Sequence, residues 1–317
     1  MSDNKNTIST ICIGVDHGNR QVKTKHRTFV SGLTESDVMP PATKDVLHFK
    51  DKFYTLSHER IPYMRDKTST NDFFILTLFA IAEELIARKY PDGYYDIALG
   101  VGLPLSHFST LKNSFKEYFL NKGRLDLEYK NRSFHICIAH VSVYPQGYAA
   151  MIHQFERVAN TSKMYIIDIG GYTTDVLLLR EGSPDMQACR SLEIGVIKYY
   201  NQVISRVYSM FDMALDEDHI NEILSNPNAS DEYDPKVIAI VYEEAQRYAD
   251  SLVNKLRELG YDLRVDKSYF TGGGSLLFKP FLKSNEKVSK ASFAEKINDN
   301  ALGYEWAVEK IAETQAN

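Results

Sequence analysis

Ile166-Ile167-Asp168-Ile169-Gly170-Gly171-Tyr172-Thr173-Thr174-Asp175-Val176 is an apolar strand that runs into Asp-x-Gly, turns through polar residues and leaves as a second strand. Ile13-Gly14-Val15-Asp16-His17-Gly18-Asn19-Arg20-Gln21-Val22-Lys23 follows the same plan. The two stretches lie about half a chain apart, which suggests two related half-domains facing one ligand. A loop of this kind can hold phosphate through backbone N–H groups. Its Asp can hold a divalent ion through water.

The chain has 317 residues, enough for roughly two domains of about 150 each. Hydrophobic residues make up 44% and charged residues 25%, which places it with ordinary globular proteins. A formal net charge of −5 gives no electrostatic argument for direct contact with nucleic acid or an anionic membrane. Cys12, Cys137 and Cys189 share no close spacing, and no Cys/His ligand pattern is present. They read as small buried hydrophobes in a reducing compartment. Met1 to Thr10 is polar, without an apolar signal core. The longest apolar stretch, Phe73 to Ala82, is interrupted by Thr77 and falls short of the roughly 20 residues a bilayer needs. The expected location is cytoplasmic.

Strands and helices alternate along both halves, so two α/β domains are expected. Thr7 to Val15 reads as a strand, Lys23 to Val30 as its returning partner, and His48 to Leu56 as another strand with a turn near Asp51. Ser69 or Thr70 can cap a helix from about Asn71 to Lys89 that is apolar on nearly every face, hence buried on two sides. Tyr95 to Val101 is a strand ending in Gly100-Val101-Gly102-Leu103-Pro104. Pro104 follows too soon for a dinucleotide fingerprint. Leu111 to Leu120 and Gly147 to Ala159 read as helices, with a strand from Ser133 to Val143 before the second. Gly195 to Phe211 and Lys236 to Leu259 read as long helices separated by a loop at Asn226 to Asp234. A short strand, Lys267 to Phe270, leads into Thr271-Gly272-Gly273-Gly274-Ser275, and a helical tail runs from about Ala301 to Glu313.

Three loops carry candidate chemistry. In the first, Gly18 lets backbone approach an anion and Lys23 can offset charge on a terminal phosphate; taken alone it is equally an Asp-rich hairpin with a surface lysine. The second pairs Gly170 with Gly171, and Thr173 and Thr174 offer hydroxyls to phosphate oxygens. A plain Gly-Gly hairpin needs neither the threonines nor two flanking acids. The third, with three glycines between a strand and Leu276-Leu277-Phe278, presents bare backbone to a flat base or a phosphate. Its plainer reading is a flexible linker, but flexible linkers do not usually sit between a buried strand and an apolar helix.

In this order the three loops resemble those of the actin superfamily of ATPases, which includes actin, sugar kinases and heat-shock chaperones. Asp16-x-Gly18 with Lys23 is similar to the first phosphate motif, Asp168 to Asp175 to the second, and Thr271 to Ser275 to the adenosine motif. The resemblance narrows to bacterial and archaeal actin-like proteins of the ParM/StbA type through Phe49-Lys50-Asp51-Lys52-Phe53-Tyr54, Asp66-Lys67-Thr68, Gly100 to Leu105 and Asn300-Ala301-Leu302-Gly303-Tyr304. It implies two actin-like (ribonuclease H-like) α/β domains flanking a nucleotide cleft, with residues 1–157 plus about 301–317 as the first and 158–300 as the second.

The same resemblance implies Mg-ATP as ligand, with GTP as an alternative. Asp16 and Asp168 hold the metal. Gly18, Asn19, Gly170, Gly171, Tyr172 and Thr173 cradle the phosphates with Lys23. Gly272, Gly273 and Gly274 lie near the base, and Gly195 and Lys198 begin a helix that approaches the nucleoside. Ribose contacts fall somewhere in Glu243 to Arg247. Gln146, in Val141-Ser142-Val143-Tyr144-Pro145-Gln146-Gly147, stands where the superfamily positions the attacking water, beside Asp16 and Asp168 in the catalytic set; its plainer role is to cap the helix after Gly147. The implied activity is ATP hydrolysis coupled to a head-to-tail filament of identical subunits. The implied task is plasmid or DNA segregation through a DNA-binding adaptor, without direct nucleic-acid or membrane contact. A small-molecule kinase of the same superfamily is the alternative, and Gln146 in place of a carboxylate counts against it. A non-enzymatic actin-like scaffold is a further alternative.

Overall fold

The structure is a computed structural model that describes residues 10–41, 45–152, 161–185, 187–226 and 228–316. The chain divides into two compact units, Met1–Gln154 with Asn298–Asn317, and Phe155–Ile297.

In the first unit the alternating, β-branched segments pair into a mixed sheet. Its strands are β1 (Thr10–His17), β2 (Gln21–Lys23), β3 (Thr28–Val30), β4 (Leu33–Ser36), β5 (Val46–Phe49), β6 (Lys52–Leu56), β7 (Gly93–Leu103), β8 (Arg124–Tyr129) and β9 (Arg132–Pro145). Their order is β3-β2-β1-β7-β9-β8-β5-β6-β4. β1, β7 and β9 run parallel at the centre, and the hairpins on either side are antiparallel. The first Asp-x-Gly hairpin is β1–β2, in register with Asp16 opposite Lys23. The returning segment is two short strands, β2 and β3, and the segment around Asp51 is the β5–β6 hairpin. β8 was not foreseen, although its Leu125, Leu127 and Tyr129 alternate inward with period two.

Helix α1 (Asp72–Ala87) buries Phe73, Phe74, Ile75, Leu76, Leu78 and Phe79, so its all-round apolar surface is spent inside the first core. Asn71 precedes it without a side-chain cap bond of its own; of the two expected caps, Thr70 Oγ1 accepts from the Asp72 N–H at 3.4 Å, whereas the Ser69 hydroxyl donates to the Asp66 carbonyl instead. α2 (Leu105–Phe119) begins six residues before the sequence suggested, directly after Pro104, whose extended φ and ψ end β7 and start the helix. α3 (Tyr148–Ile152) follows Gly147; the remainder of the helix expected up to Ala159 lies outside the described residues. The C-terminal helix, Asp299–Ala316, lies on β1 and β7. A Cβ on Gly102 would run into the Tyr304 side chain, which gives the Gly-Val-Gly of β7 a packing role.

The second unit holds a smaller sheet of β10 (Lys163–Ile169), β11 (Thr174–Arg180), β12 (Ser183–Pro184), β13 (Arg190–Leu192), β14 (Lys267–Thr271) and β15 (Ala291–Phe293). The order is β12-β11-β10-β14-β15, with β13 also on β11. α4 (Val196–Phe211), α5 (Glu217–Ser225) and α6 (Pro235–Glu258) follow β13, then α7 (Gly273–Leu277) and α8 (Lys279–Ser284) follow β14. Val196, Tyr199, Val203 and Val207 of α4 pack with Val241, Ala245 and Leu252 of α6 in the second core. Asp234 caps α6 by accepting from the Lys236 N–H, and Pro235 at its first position fixes the start. Among the described residues no helix is long and apolar enough to cross a membrane.

Candidate functional site

The β1–β2 hairpin brings Asp16 and Lys23 face to face, so the lysine predicted for a phosphate also reaches the acid predicted for a metal. Lys23 Nζ donates to Asp16 Oδ2 at 3.2 Å, both side chains being nearly buried. Gln146 arrives from the end of β9, where its backbone N–H donates to the Leu103 carbonyl at 2.9 Å. Its Nε2 donates to Asp16 Oδ1 at 3.1 Å. Gln146 therefore does not cap α3; the cap-like contact comes from Asn300 Oδ1, which accepts from the Gly147 N–H at 2.9 Å. With Nε2 committed to Asp16, the amide Oε1 is the atom left to accept from a water.

Two further groups hold the tip of the hairpin from its carbonyl side. The Lys67 ammonium donates to the His17 carbonyl, and Ser31 Oγ donates to the Gly18 carbonyl at 2.6 Å. Both residues are buried. Burial pushes the Lys67 pKa down to about 8; Asp16 opposes that shift and Lys23 adds to it. His17 is also fully enclosed, stacked on Phe119 with ring centroids 5.5 Å apart. Its Nε2 lies 2.7 Å from Thr77 Oγ1, and the Thr77 hydroxyl donates to the Phe73 carbonyl at 2.7 Å. The single threonine proton is thereby used, so His17 is the donor at Nε2. Burial, then the Lys67 charge, lowers its pKa and favours the neutral imidazole.

In the second unit, β10 and β11 pair with Asp168 opposite Asp175 and Ile169 opposite Thr174. The turn closes with the Gly170 N–H donating to the Thr173 carbonyl at 2.8 Å, so that N–H is used within the loop. The start of α4 docks on the same turn. The Val196 and Ile197 N–H groups donate to the Gly170 and Gly171 carbonyls at 3.0 and 2.9 Å. A Cβ on Gly195 would overlap the Gly171 carbonyl, so this docking requires glycine there. Lys198 is exposed on the first turn of α4.

Thr174 is turned inward. It is buried and its hydroxyl donates to the Ile194 carbonyl at 2.5 Å, which corrects its expected contact with phosphate. The three glycines also separate in role. Gly272 has a φ of +83° and abuts Asp168, and the side position of Gly274 faces Ile169 and Val196. Only Gly273 has open space where a side chain would stand, and α7 begins there, so the stretch is a helix start and not a linker.

Asp175, read in the sequence only as a flanking acid, is 3% exposed, and among the described residues its Oδ1 has no hydrogen-bond partner. Burial raises its pKa to about 7; Ser191 opposes the rise and the Asp168 charge adds to it. In the segment proposed for ribose, Glu244 is buried and accepts from Arg206 at 2.7 Å and Arg247 at 2.8 Å. Among the described residues no three His, Cys, Asp or Glu side chains form a direct metal cage. Single carboxylates beside glycine-lined turns suit magnesium, which keeps several of its waters.

The fold and the two hairpins are those of an actin-like protein. Residues 14–148 match the family model for the N-terminal domain of actin-like proteins, and residues 166–284 match that for the C-terminal part of the archaeal actin homologue MreB-like. The chain belongs to the actin-like proteins, as the motifs implied. It is similar to the archaeal actin homologue Ta0583, at 22% identity over 94% of this chain and 99% of that one, with a TM-score of 0.76. It is also similar to Ta0583 in complex with ADP, at 20% identity over 95% and 99% of the two chains, with a TM-score of 0.70. A third likeness is to the subunit of a 15-stranded ParM filament from Clostridium botulinum, at 17% identity over 96% and 99%, with a TM-score of 0.74. No curated protein sequence matches the chain.

Proposed function

We propose that the protein is an ATPase that binds Mg-ATP with both Asp-x-Gly hairpins and polymerises head to tail. The observation that carries this reading is the convergence on Asp16. Lys23 and Gln146, 123 positions apart in sequence, both donate to its carboxylate, at 3.2 and 3.1 Å. A hairpin with a purely structural turn has no need to gather a lysine, a carboxylate and a water-orienting amide at one point.

In this reading the N–H groups around Gly18, Asn19, Gly171 and Tyr172 hold the phosphates, with Thr173 beside them. The N–H of Gly170 stays within its turn, so Gly170 serves as a site of close approach. Lys23 turns from Asp16 to the terminal phosphates as they enter. Asp16 and Asp168 would hold magnesium, mainly through its waters, and the ion supplies charge neutralisation at the phosphates. Gln146 accepts a hydrogen from water through Oε1, which points the water's lone pair at the γ-phosphorus. Such positioning and charge stabilisation are most of what phosphoryl transfer to water demands. Gly273, with its open face, lies against the base, Gly272 and Gly274 shape the turn behind it, and Gly195 and Lys198 lie toward the nucleoside.

A subunit that alternates between nucleotide states can couple them to a polymer interface. Identical subunits joined head to tail give a filament when the rotation does not close. The ParM filament among the similar structures supports this step. The proposed task is DNA or plasmid segregation in the cytoplasm through a DNA-binding adaptor, in keeping with the net charge of −5. Phosphate release and sedimentation are to be measured together, with Mg-ATP and Mg-GTP. Pelletable polymer and phosphate release that both depend on nucleotide are expected, with ATP preferred. A monomer that turns over neither nucleotide at high concentration sinks the proposal, and ATP-dependent phosphorylation of a sugar in place of polymer would favour the kinase.

A further inference from the structure

We propose that Lys67 and Ser31 are positioning residues of the first loop, which aim the Gly18 and Asn19 N–H groups at the phosphates of a bound nucleoside triphosphate. The inference rests on the nucleotide reading above and adds two residues outside the Asp-x-Gly pattern to it.

The peptide bond is planar and trans, so the C=O and the following N–H of one peptide unit point in opposite directions. Whatever grips the carbonyl also aims the N–H. In the second hairpin the grip is the start of α4, whose Val196 and Ile197 N–H groups hold the Gly170 and Gly171 carbonyls at 3.0 and 2.9 Å. That arrangement turns the Gly171 and Tyr172 N–H groups away from α4. The first hairpin solves the same problem with side chains. Lys67 grips the His17 carbonyl and Ser31 Oγ grips the Gly18 carbonyl at 2.6 Å. The N–H groups turned outward are then those of Gly18 and Asn19. Two successive peptides are held in each loop, by different devices.

The chemistry of Lys67 favours this role over simple packing. Its side chain is buried, with the ammonium 5.0 Å from the Phe73 ring centroid. An apolar residue would fill that space without the cost of desolvating a charge. A cation on a carbonyl oxygen also draws electron density from the peptide, which makes its N–H a stronger donor to an anion. Lys67 does this from behind the loop and need not touch the ligand.

The test is calorimetric titration of the full chain with ATP, ADP and adenosine, for wild type, Lys67→Met and Ser31→Ala. Lys67→Met should weaken ATP and ADP on the order of tenfold, and Ser31→Ala on the order of threefold, as expected for a charge-assisted and a neutral hydrogen bond. Adenosine, which has no phosphate, should bind all three proteins alike. Equal ATP affinity in wild type and both variants overturns the proposal. So does an equal loss for adenosine and ATP, since that marks a general defect of the fold. Should Lys67→Met fail to fold, Ser31→Ala alone decides by the same comparison. A wild-type protein that binds no ATP overturns the nucleotide reading itself, and the inference with it.

Discussion

Gln146 and Asp175 are the side chains whose surroundings make the sharpest demands. Gln146 lends one end of its amide to Asp16, which leaves the other end fixed in direction. Replacing it with Ala should lower phosphate release on the order of a hundredfold while nucleotide affinity stays nearly constant, because a water-orienting group acts mainly in the transition state. Steady-state kinetics beside equilibrium titration checks this. Asp175 makes a prediction about the nucleotide-free protein. Its folded pKa of about 7 lies above the ordinary 3.8. Between these values the folded chain keeps a proton that the unfolded chain has released, so stability falls as pH rises from about 4 to 7. Asp175→Asn should remove that slope and gain roughly 1–3 kcal/mol at pH 8, with no gain near pH 4. Chemical denaturation across this range, without nucleotide or metal, is the measurement. The pairing of Asp16 with Lys23 was legible in the first Asp-x-Gly hairpin, and Gln146 stood out only through the resemblance and its Pro-Gln-Gly setting. Lys67 was visible only as part of Asp66-Lys67-Thr68. Its role depends on a carbonyl 50 positions away, which no local pattern encodes.

At the scale of elements, the docking of α4 on the β10–β11 turn is the least forgiving contact. Gly195→Ala would drive a methyl group into the Gly171 carbonyl, part the helix from the loop and release the Gly170 and Gly171 carbonyls. A loss of about 1–3 kcal/mol in unfolding free energy is expected, as for other overpacked sites, together with weaker ATP binding. Gly273→Ala, where space is open, should be nearly neutral for folding by the same assay. The long helices α4 and α6 were readable in the sequence, although the cap and helix start that Asp234-Pro235 provide for α6 were read as part of the preceding loop. α5 was missed because its capping box closes with His219 where the usual signal is Glu or Gln; Asp216 accepts from the Asp218 and His219 N–H groups. The triple glycine could be read only in part, for a physical reason. Composition shows only that side chains are missing. At Gly272 and Gly274 they are missing because Asp168, Ile169 and Val196 occupy the space.

At the scale of the molecule, one chain carries two α/β units, each with an Asp-x-Gly hairpin held from its carbonyl side. The duplication was evident in sequence, since a strand, an acid and a glycine leave the same trace twice. The inequality between the copies was only partly evident. The lysine of one and the paired glycines of the other could be read, whereas side-chain clamping against helix clamping could not. If both hairpins serve one nucleotide, neither is sufficient without the other. Isothermal titration of Mg-ATP into wild type, Asp16→Ala and Asp168→Ala tests this most directly. The prediction is one ATP per chain in the wild type and a loss of Mg-dependent binding in each variant. Two independent ATP sites per chain, or undiminished binding in either variant, would contradict it.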